Sequence, residues 1–168
     1  MLELKKIILF LFVTHALLSC SDYSKVLNKG TVAEKYSMAT QLYDAKKFDK
    51  ALRLFEMVVP SYKGKPQMER IQFMISQSYF NTGDYFNAAF YFERFAKNYP
   101  KSSKLEEAEF NAAKSSFLAS PKFSLDQTDT KKALVAFQEY IDAYPNSKRI
   151  AESNAMVSEL QYKLEKKA

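Results

Sequence analysis

The strongest constraint on the fold is an internal repeat that spans most of the chain. One copy contains Tyr85, Ala88, Phe92 and Tyr99. The same pattern of aromatic and small residues occurs 37 residues earlier as Phe48, Ala51, Phe55 and Tyr62, and 45 residues later as Ala133, Phe137 and Tyr144. Units of this length bury their apolar faces only by stacking on neighbours, and about three of them suffice for a stable array.

Each copy has the features of two helices joined by a tight turn. In the middle copy Gly83 and Asp84 form the turn, because glycine accepts the positive φ that ends a helix. Ala88 is small enough for the two helices to approach closely, and Pro100 ends the second helix because it has no N–H to donate. The chain has only 3 glycines and 5 prolines in 168 residues. The sequence therefore predicts an all-α fold.

The repeat also sets the expected helices and units. The spacing of apolar residues predicts helices over about 32–46, 49–62, 67–82, 85–99, 103–119, 129–144 and 147–166. These make three helix pairs, in units of about 32–66, 67–102 and 103–146, followed by a final helix within a repeat domain of 31–168. Thr31 with Glu34 and Ser103 with Glu106 have the spacing of capping boxes. The third unit has about eight extra residues around Ser120 to Asp129.

The N-terminus has the features of an export signal. Lys5 and Lys6 precede an apolar run that ends at Leu18, and the run leads directly into a Ser-Cys pair ending at Cys20. This pair resembles the bacterial lipobox, although Leu18 departs from the small or β-branched residue usual there. The resemblance implies cleavage before Cys20 and a diacylglycerol on its sulfur; an ordinary signal peptide or a short N-terminal anchor is the alternative. The predicted segments are a signal peptide over 1–19 and a lipidated tether over 20–30.

The remaining residues offer little for catalysis. His15 is the only histidine and Cys20 the only cysteine, so the exported chain has no histidine and no free thiol. Triads and the usual zinc or haem ligand sets are therefore excluded. Glu106, Glu107 and Glu109 fit the negatively charged first turn of a helix better than an acid–base pair. We expect no enzyme, no cofactor and no metal site.

The positive charge does not indicate nucleic acid. The net charge of +6 falls by one when the signal is removed, and lysines are scattered among acidic residues on every predicted helix. Lys25 and Lys29 in the tether favour an anionic membrane surface. Ser21 rather than aspartate follows Cys20, which favours the outer membrane over inner-membrane retention.

The paired helices resemble the tetratricopeptide repeat, which implies a right-handed superhelix. Together with the lipobox they are similar to the BamD family of outer-membrane assembly lipoproteins, most clearly in the run from Thr130 to Phe137 and the Tyr-Pro-Asn-Ser turn ending at Ser147. The resemblance implies a non-enzymatic scaffold, lipid-anchored at the periplasmic face of the outer membrane. Its implied partners are a β-barrel subunit with periplasmic domains and unfolded outer-membrane proteins. A repeat scaffold for peptidoglycan-associated or other envelope complexes is the alternative.

The chain differs from this family in length. The family typically has five repeats, whereas this sequence contains three and a half. The role of the family's C-terminal repeats therefore cannot be transferred. Without a second partner helix, the final helix is expected to leave part of its apolar side exposed, which comprises Met156, Val157, Leu160 and Leu164. The alternatives are a short homologue, a truncated sequence or a partner that covers this face.

A groove for a peptide is expected along the first helix of each unit. The groove-facing positions share a mixture of aromatic, amide and cationic side chains that suits an extended chain. They are Tyr36, Thr40, Tyr43 and Asp44 in the first unit, Arg70, Phe73, Gln77, Phe80 and Asn81 in the second, and Phe110, Lys114 and Phe117 in the third. The hypothesis is that the aromatic-ended C-terminal strand of an outer-membrane protein binds here, with Arg70 or Lys114 near its carboxylate. The alternative is that some of these rings only pack against the next helix.

Overall fold

The computed structural model describes residues 22–121 and 126–166, and every regular element in those ranges is a helix. They are α1 (residues 22–29), α2 (Val32–Asp44), α3 (Phe48–Tyr62), α4 (Gln67–Asn81), α5 (Tyr85–Asn98), α6 (Leu105–Ala119), α7 (Thr128–Ala143) and α8 (Ile150–Glu165). The all-α prediction is confirmed, with helix ends within about three residues of those expected. Throughout these ranges, no helix has both the length and the apolar character to cross a membrane. The signal segment and Cys20 lie outside the described residues.

The chain divides into two units, of which the first ends at Lys63 and the second begins at Gly64. In the described part of the first, α2 packs against α3. Ala39 of α2 and Ala51, Phe55 and Val58 of α3 are fully buried. The predicted capping box is present: the Thr31 hydroxyl accepts from the Glu34 N–H and the Glu34 carboxylate accepts from the Thr31 N–H. The segment predicted as tether is helical over 22–29.

In the second unit each helix packs against the next along the chain, from α4 to α8. One buried cluster, around Ala88, Phe92 and Phe95, joins α4, α5 and α6. Another, around Phe137 and Leu160, joins α6, α7 and α8. Packing between consecutive helices is typical of a helical repeat fold.

The repeat positions coincide with the core. Ala88 and Phe92 are 0% exposed, and so are the equivalent alanines and phenylalanines of the other copies. Gly83 makes the predicted turn with a φ of 81°, and Lys46 occupies the matching position with a φ of 58°. The turn thus keeps its left-handed residue in both copies even where that residue has a side chain.

Two expectations, one at the start of α6 and one within α8, were wrong. Ser103 does not cap α6, because the helix begins at Leu105 and the Ser102 hydroxyl accepts the Lys104 N–H at 3.0 Å. Leu160 of the final helix is not exposed but fully buried, because α8 packs against α7 and completes the cluster around Phe137. Met156, Val157 and Leu164 remain half-buried, as expected.

Candidate functional site

The structure places the predicted residues of α4 along one side of that helix. Phe73, Gln77 and Phe80 follow the three-and-four spacing that aligns side chains on a helix. All three are half-buried, whereas Arg70 and Asn81 beside them are exposed. These five residues, together with Lys114 and Phe117 of α6, are called the inner surface below.

The two rings of α4 are held by the core. The Phe73 ring lies edge-on to Phe92 and Phe95, at centroid distances of 6.0 and 5.2 Å. The Lys104 ammonium lies 5.3 Å from the centroid of the same ring, within the range of a cation–π contact. Phe80 lies edge-on to Tyr85 at 5.6 Å. Packing against the cluster around Phe92 therefore restricts the orientation of both rings.

The amides of α4 already take part in hydrogen bonds. Gln77 Nε2 donates to Glu107 Oε1 of α6 at 3.1 Å, and Asn81 Nδ2 donates to the Gln77 carbonyl at 2.7 Å. Glu107 Oε2 also accepts from Lys104 Nζ at 2.8 Å. Glu107 takes one of the two N–H donors of Gln77, so the second N–H of Gln77 is left for other partners.

Phe110 differs from the other predicted rings. It is only 4% exposed and belongs to the core cluster of α6, α7 and α8. Its ring packs against Phe137 and Tyr140, and the Arg149 guanidinium lies 5.3 Å above it. Phe110 is thus a core residue, because the start of α8 covers it, and it is not part of the inner surface.

The other two predicted residues of α6 contact α8. Lys114 Nζ pairs with Glu152 Oε1 at 2.7 Å. The Phe117 ring lies below the Lys163 ammonium, 4.9 Å from it. Arg70, by contrast, forms no ion pair within the described ranges. Arg70 is consequently the cation of this surface whose charge is most available to a ligand.

In the first unit the predicted residues make mostly aromatic contacts. Tyr36 lies 5.1 Å from Tyr62, and Tyr43 lies edge-on to Phe48 at 5.5 Å. The Thr40 hydroxyl donates to the Tyr36 carbonyl at 3.1 Å. Tyr36, Thr40 and Tyr43 are half-buried, so each keeps part of its side chain accessible.

Four residues that contact the inner surface were missed by the sequence reasoning. Glu107 and Glu152 bond to Gln77 and Lys114, while Lys104 and Lys163 lie over the rings. Glu107 stands 37 residues after Arg70, at the same repeat position, so the period itself could have identified it. The other three lie just before α6 or on α8. The spacing of residues along the face of one helix does not predict which residues of the next repeat contact that face.

The Glu106 carboxylate accepts three hydrogen bonds, from α7 and from the residues just before α8. Its Oε1 accepts from the Ser147 hydroxyl at 2.6 Å, the Tyr140 hydroxyl at 3.1 Å and Arg149 Nη1 at 3.2 Å. The Ser147 hydrogen bond, followed by those from Tyr140 and Arg149, lowers the pKa of Glu106. A carboxylate whose pKa is lowered by three donors is suited to a structural link rather than to the role of a general acid.

Comparisons with known proteins agree on one family. The model of the family YfiO, described as outer membrane lipoprotein, matches residues 28–167. The putative outer membrane protein assembly factor BamD of Aquifex aeolicus (strain VF5) is 30% identical over 122 residues, which are 68% of this chain and 38% of that protein. The outer membrane protein assembly factor BamD of Helicobacter pylori (strain ATCC 700392 / 26695) is 22% identical over 154 residues, which are 88% of this chain and 70% of that protein. The aligned part of this chain thus spans well under half of the Aquifex relative.

Proposed function

Because this chain belongs to the YfiO family of outer membrane lipoproteins, we propose that it is a non-enzymatic subunit of the machinery that assembles outer-membrane proteins. The observation that carries the proposal is the extent of the family match, which covers every repeat from α2 to α8. Two relatives whose names state this role support it.

The proposed location is the periplasmic face of the outer membrane. Acylation of Cys20 would anchor the chain, and Lys25 and Lys29, both exposed on α1, lie close to that anchor in sequence. Their charges favour an anionic lipid surface.

The proposed client site is the inner surface. Phe73 and Phe80 offer rings for the apolar side chains of an extended strand, and rings fixed by the core lose little entropy on binding. Arg70 is the proposed contact for a terminal carboxylate, rather than Lys114, whose charge is paired with Glu152. For the first unit, binding of client side chains by Tyr36, Thr40 and Tyr43 is a separate proposal, since each keeps part of its side chain accessible.

A direct test uses a labelled twelve-residue peptide with alternating apolar residues and a C-terminal phenylalanine. Fluorescence anisotropy measures its binding to the detergent-solubilised lipoprotein. Arg70→Gln together with Phe80→Ala should weaken binding by about tenfold or more, the size expected for losing a ring and a charge-assisted bond. Binding of a peptide with an amidated C-terminus should no longer depend on Arg70 but should still depend on Phe80.

Phe86→Ala with Phe90→Ala on α5 is the matched control, since these exposed rings lie outside the inner surface. Unchanged binding by Arg70→Gln/Phe80→Ala with intact circular dichroism would exclude the client site.

Membership in the machinery needs a separate experiment. The tagged chain is purified from native membranes and the co-purifying proteins are identified by mass spectrometry. Recovery of a β-barrel protein with repeated periplasmic domains supports the proposal. Recovery of cell-wall enzymes alone contradicts it and favours a scaffold for peptidoglycan-associated complexes.

A further inference from the structure

A second recess lies in the second unit, between α5 and α7, with α6 as its floor. It consists of two adjoining cavities of about 380 and 290 Å³, and Glu93 of α5 lines both. On α7 it extends from Asp129 to Ala143, roughly 21 Å at a rise of about 1.5 Å per residue. We call it the α5–α7 groove.

Small residues create the space in this groove. Ala112 and Ala119 of α6 line its floor, while Ala96 and Ala143 line its sides. Larger side chains at these positions would fill the gap between α5 and α7. The groove is long enough along α7 to contact one face of a helix of about fourteen residues.

One end of the groove is aromatic. Phe86 is 75% exposed and Phe90 is 52% exposed, and the two are one helical turn apart on α5. Phe86 is the most exposed of the large hydrophobic residues in the described ranges. Two open rings beside a cavity are typical of the anchor point of a protein contact.

The other end of the groove is acidic. Glu93, Glu109 and Glu139 line it, although the chain as a whole carries more basic than acidic residues. In the part of the chain described, neither Glu93 nor Glu139 forms an ion pair. Lys132 pairs with Asp129 at 3.4 Å, and its charge also acts on Glu93. With three carboxylates lining it, this end of the groove carries a surplus of negative charge.

The groove is separate from the inner surface. At about 100° per residue, Lys114 and Phe117 lie on one side of α6 while Ala112 and Ala119 lie on the opposite side. A ligand on one surface therefore leaves the other open.

We propose that the α5–α7 groove binds an amphipathic helical segment of a partner protein, with apolar side chains on Phe86 and Phe90 and Lys or Arg side chains facing Glu93 and Glu139. The charge of the groove selects this occupant over an acidic or a purely apolar one, because unpaired carboxylates favour a cationic partner. The rings supply affinity, and the carboxylates supply orientation and selectivity.

The test uses a defined probe. It is a fourteen-residue helical peptide with two leucines four residues apart at one end and three lysines along the same face at the other. A second peptide has glutamates in place of the lysines. Calorimetry with the detergent-solubilised lipoprotein should show binding of the lysine peptide with a dissociation constant below roughly 100 μM, weakening with salt, and no binding of the glutamate peptide.

Three variants locate the contact. Phe86→Ala/Phe90→Ala and Glu93→Gln/Glu139→Gln should each weaken binding of the lysine peptide by about tenfold, and only the second should remove its salt dependence. Ala143→Leu fills the groove from an exposed position and should block the peptide without disturbing the core. The Arg70→Gln/Phe80→Ala variant should bind the lysine peptide with an unchanged dissociation constant, which separates this result from the test of the client site.

Two results would overturn the proposal. One is equal binding of both peptides, or of neither. The other is a concentration-dependent dimer in sedimentation that Phe86→Ala/Phe90→Ala converts to monomer, because the groove would then be occupied by a second copy of this chain.

Discussion

The Ser147 hydroxyl donates a 2.6 Å hydrogen bond to the carboxylate of Glu106, joining the turn after α7 to the first turn of α6. The preceding repeat has the same contact, from Ser102 to Glu69, also at 2.6 Å. Because each bond connects the first helix of one repeat to the start of the next, the pair forms a recurrent link between stacked repeats.

Removing the acceptor of this link should destabilise the fold. The Glu106 carboxylate accepts three hydrogen bonds. Glu106→Gln replaces it with a neutral amide, whose oxygen accepts weaker hydrogen bonds. At this partly exposed site we expect a loss of about 1 kcal/mol in the free energy of unfolding. Urea titration followed by circular dichroism measures it. Glu165→Gln, at an exposed position near the end of α8, is the control and should change little.

The same pair of proteins should show a defined pH dependence. The hydrogen bond from Ser147 and its companions lowers the pKa of Glu106 from the ordinary 4.5, so the folded state releases this proton more readily than the unfolded state. The contribution of the carboxylate is therefore complete above pH 4.5 and disappears as the pH falls through the folded pKa. The free energy of unfolding of the wild type should exceed that of Glu106→Gln at pH 7, and the difference between the two should shrink below pH 4.5. A difference that grows on acidification would refute the assignment.

Lys46→Gly should stabilise the first unit. Lys46 has a φ of 58°, which costs a residue with a Cβ about 1–2 kcal/mol, whereas glycine adopts it freely. After subtracting the greater backbone freedom of glycine in the unfolded chain, we expect a gain of about 0.5–1 kcal/mol. Thermal unfolding measures the effect. Lys47→Gly, where φ is −89°, offers no such relief and should be neutral or destabilising.

Leu160→Ala should show that α8 belongs to the core of the second unit. Leu160 is 0% exposed and packs in the cluster with Phe110 and Phe137, so the cavity left behind should cost about 2–5 kcal/mol. Ala substitution at the 55%-exposed Tyr162 on the same helix is the control and should cost far less. If urea titration showed equal losses of the free energy of unfolding for the two variants, the packing of α8 would not depend on Leu160.

The sequence predicted well what the repeat period determines. Ala88 and Phe92 recur at fixed spacing because each unit must bury the same two positions, and both are fully buried in the structure. Gly83 was predictable for a similar reason, since a tight turn requires a positive φ.

The repeat period could not predict contacts between one helix and residues of the repeat that follows it. Phe73 and Phe110 occupy equivalent positions, and a cation lies 5.3 Å from each ring, yet only Phe110 is buried, in the cluster that also contains Leu160 of α8. Lys114 was similarly expected to be available, but its partner Glu152 lies 38 residues further along the chain. These outcomes depend on how consecutive helices meet, which a single helix face does not encode.

The recurrent link also determines where this chain can change its length. Glu69 and Glu106 are 37 residues apart, whereas Ser102 and Ser147 are 45 apart, so the eight extra residues lie inside a repeat, before α7. Neither hydrogen bond involves them. Insertions during evolution can therefore accumulate in the connection between α6 and α7 while the repeats remain in register, and the same connection is the natural position for an epitope tag or a fluorophore.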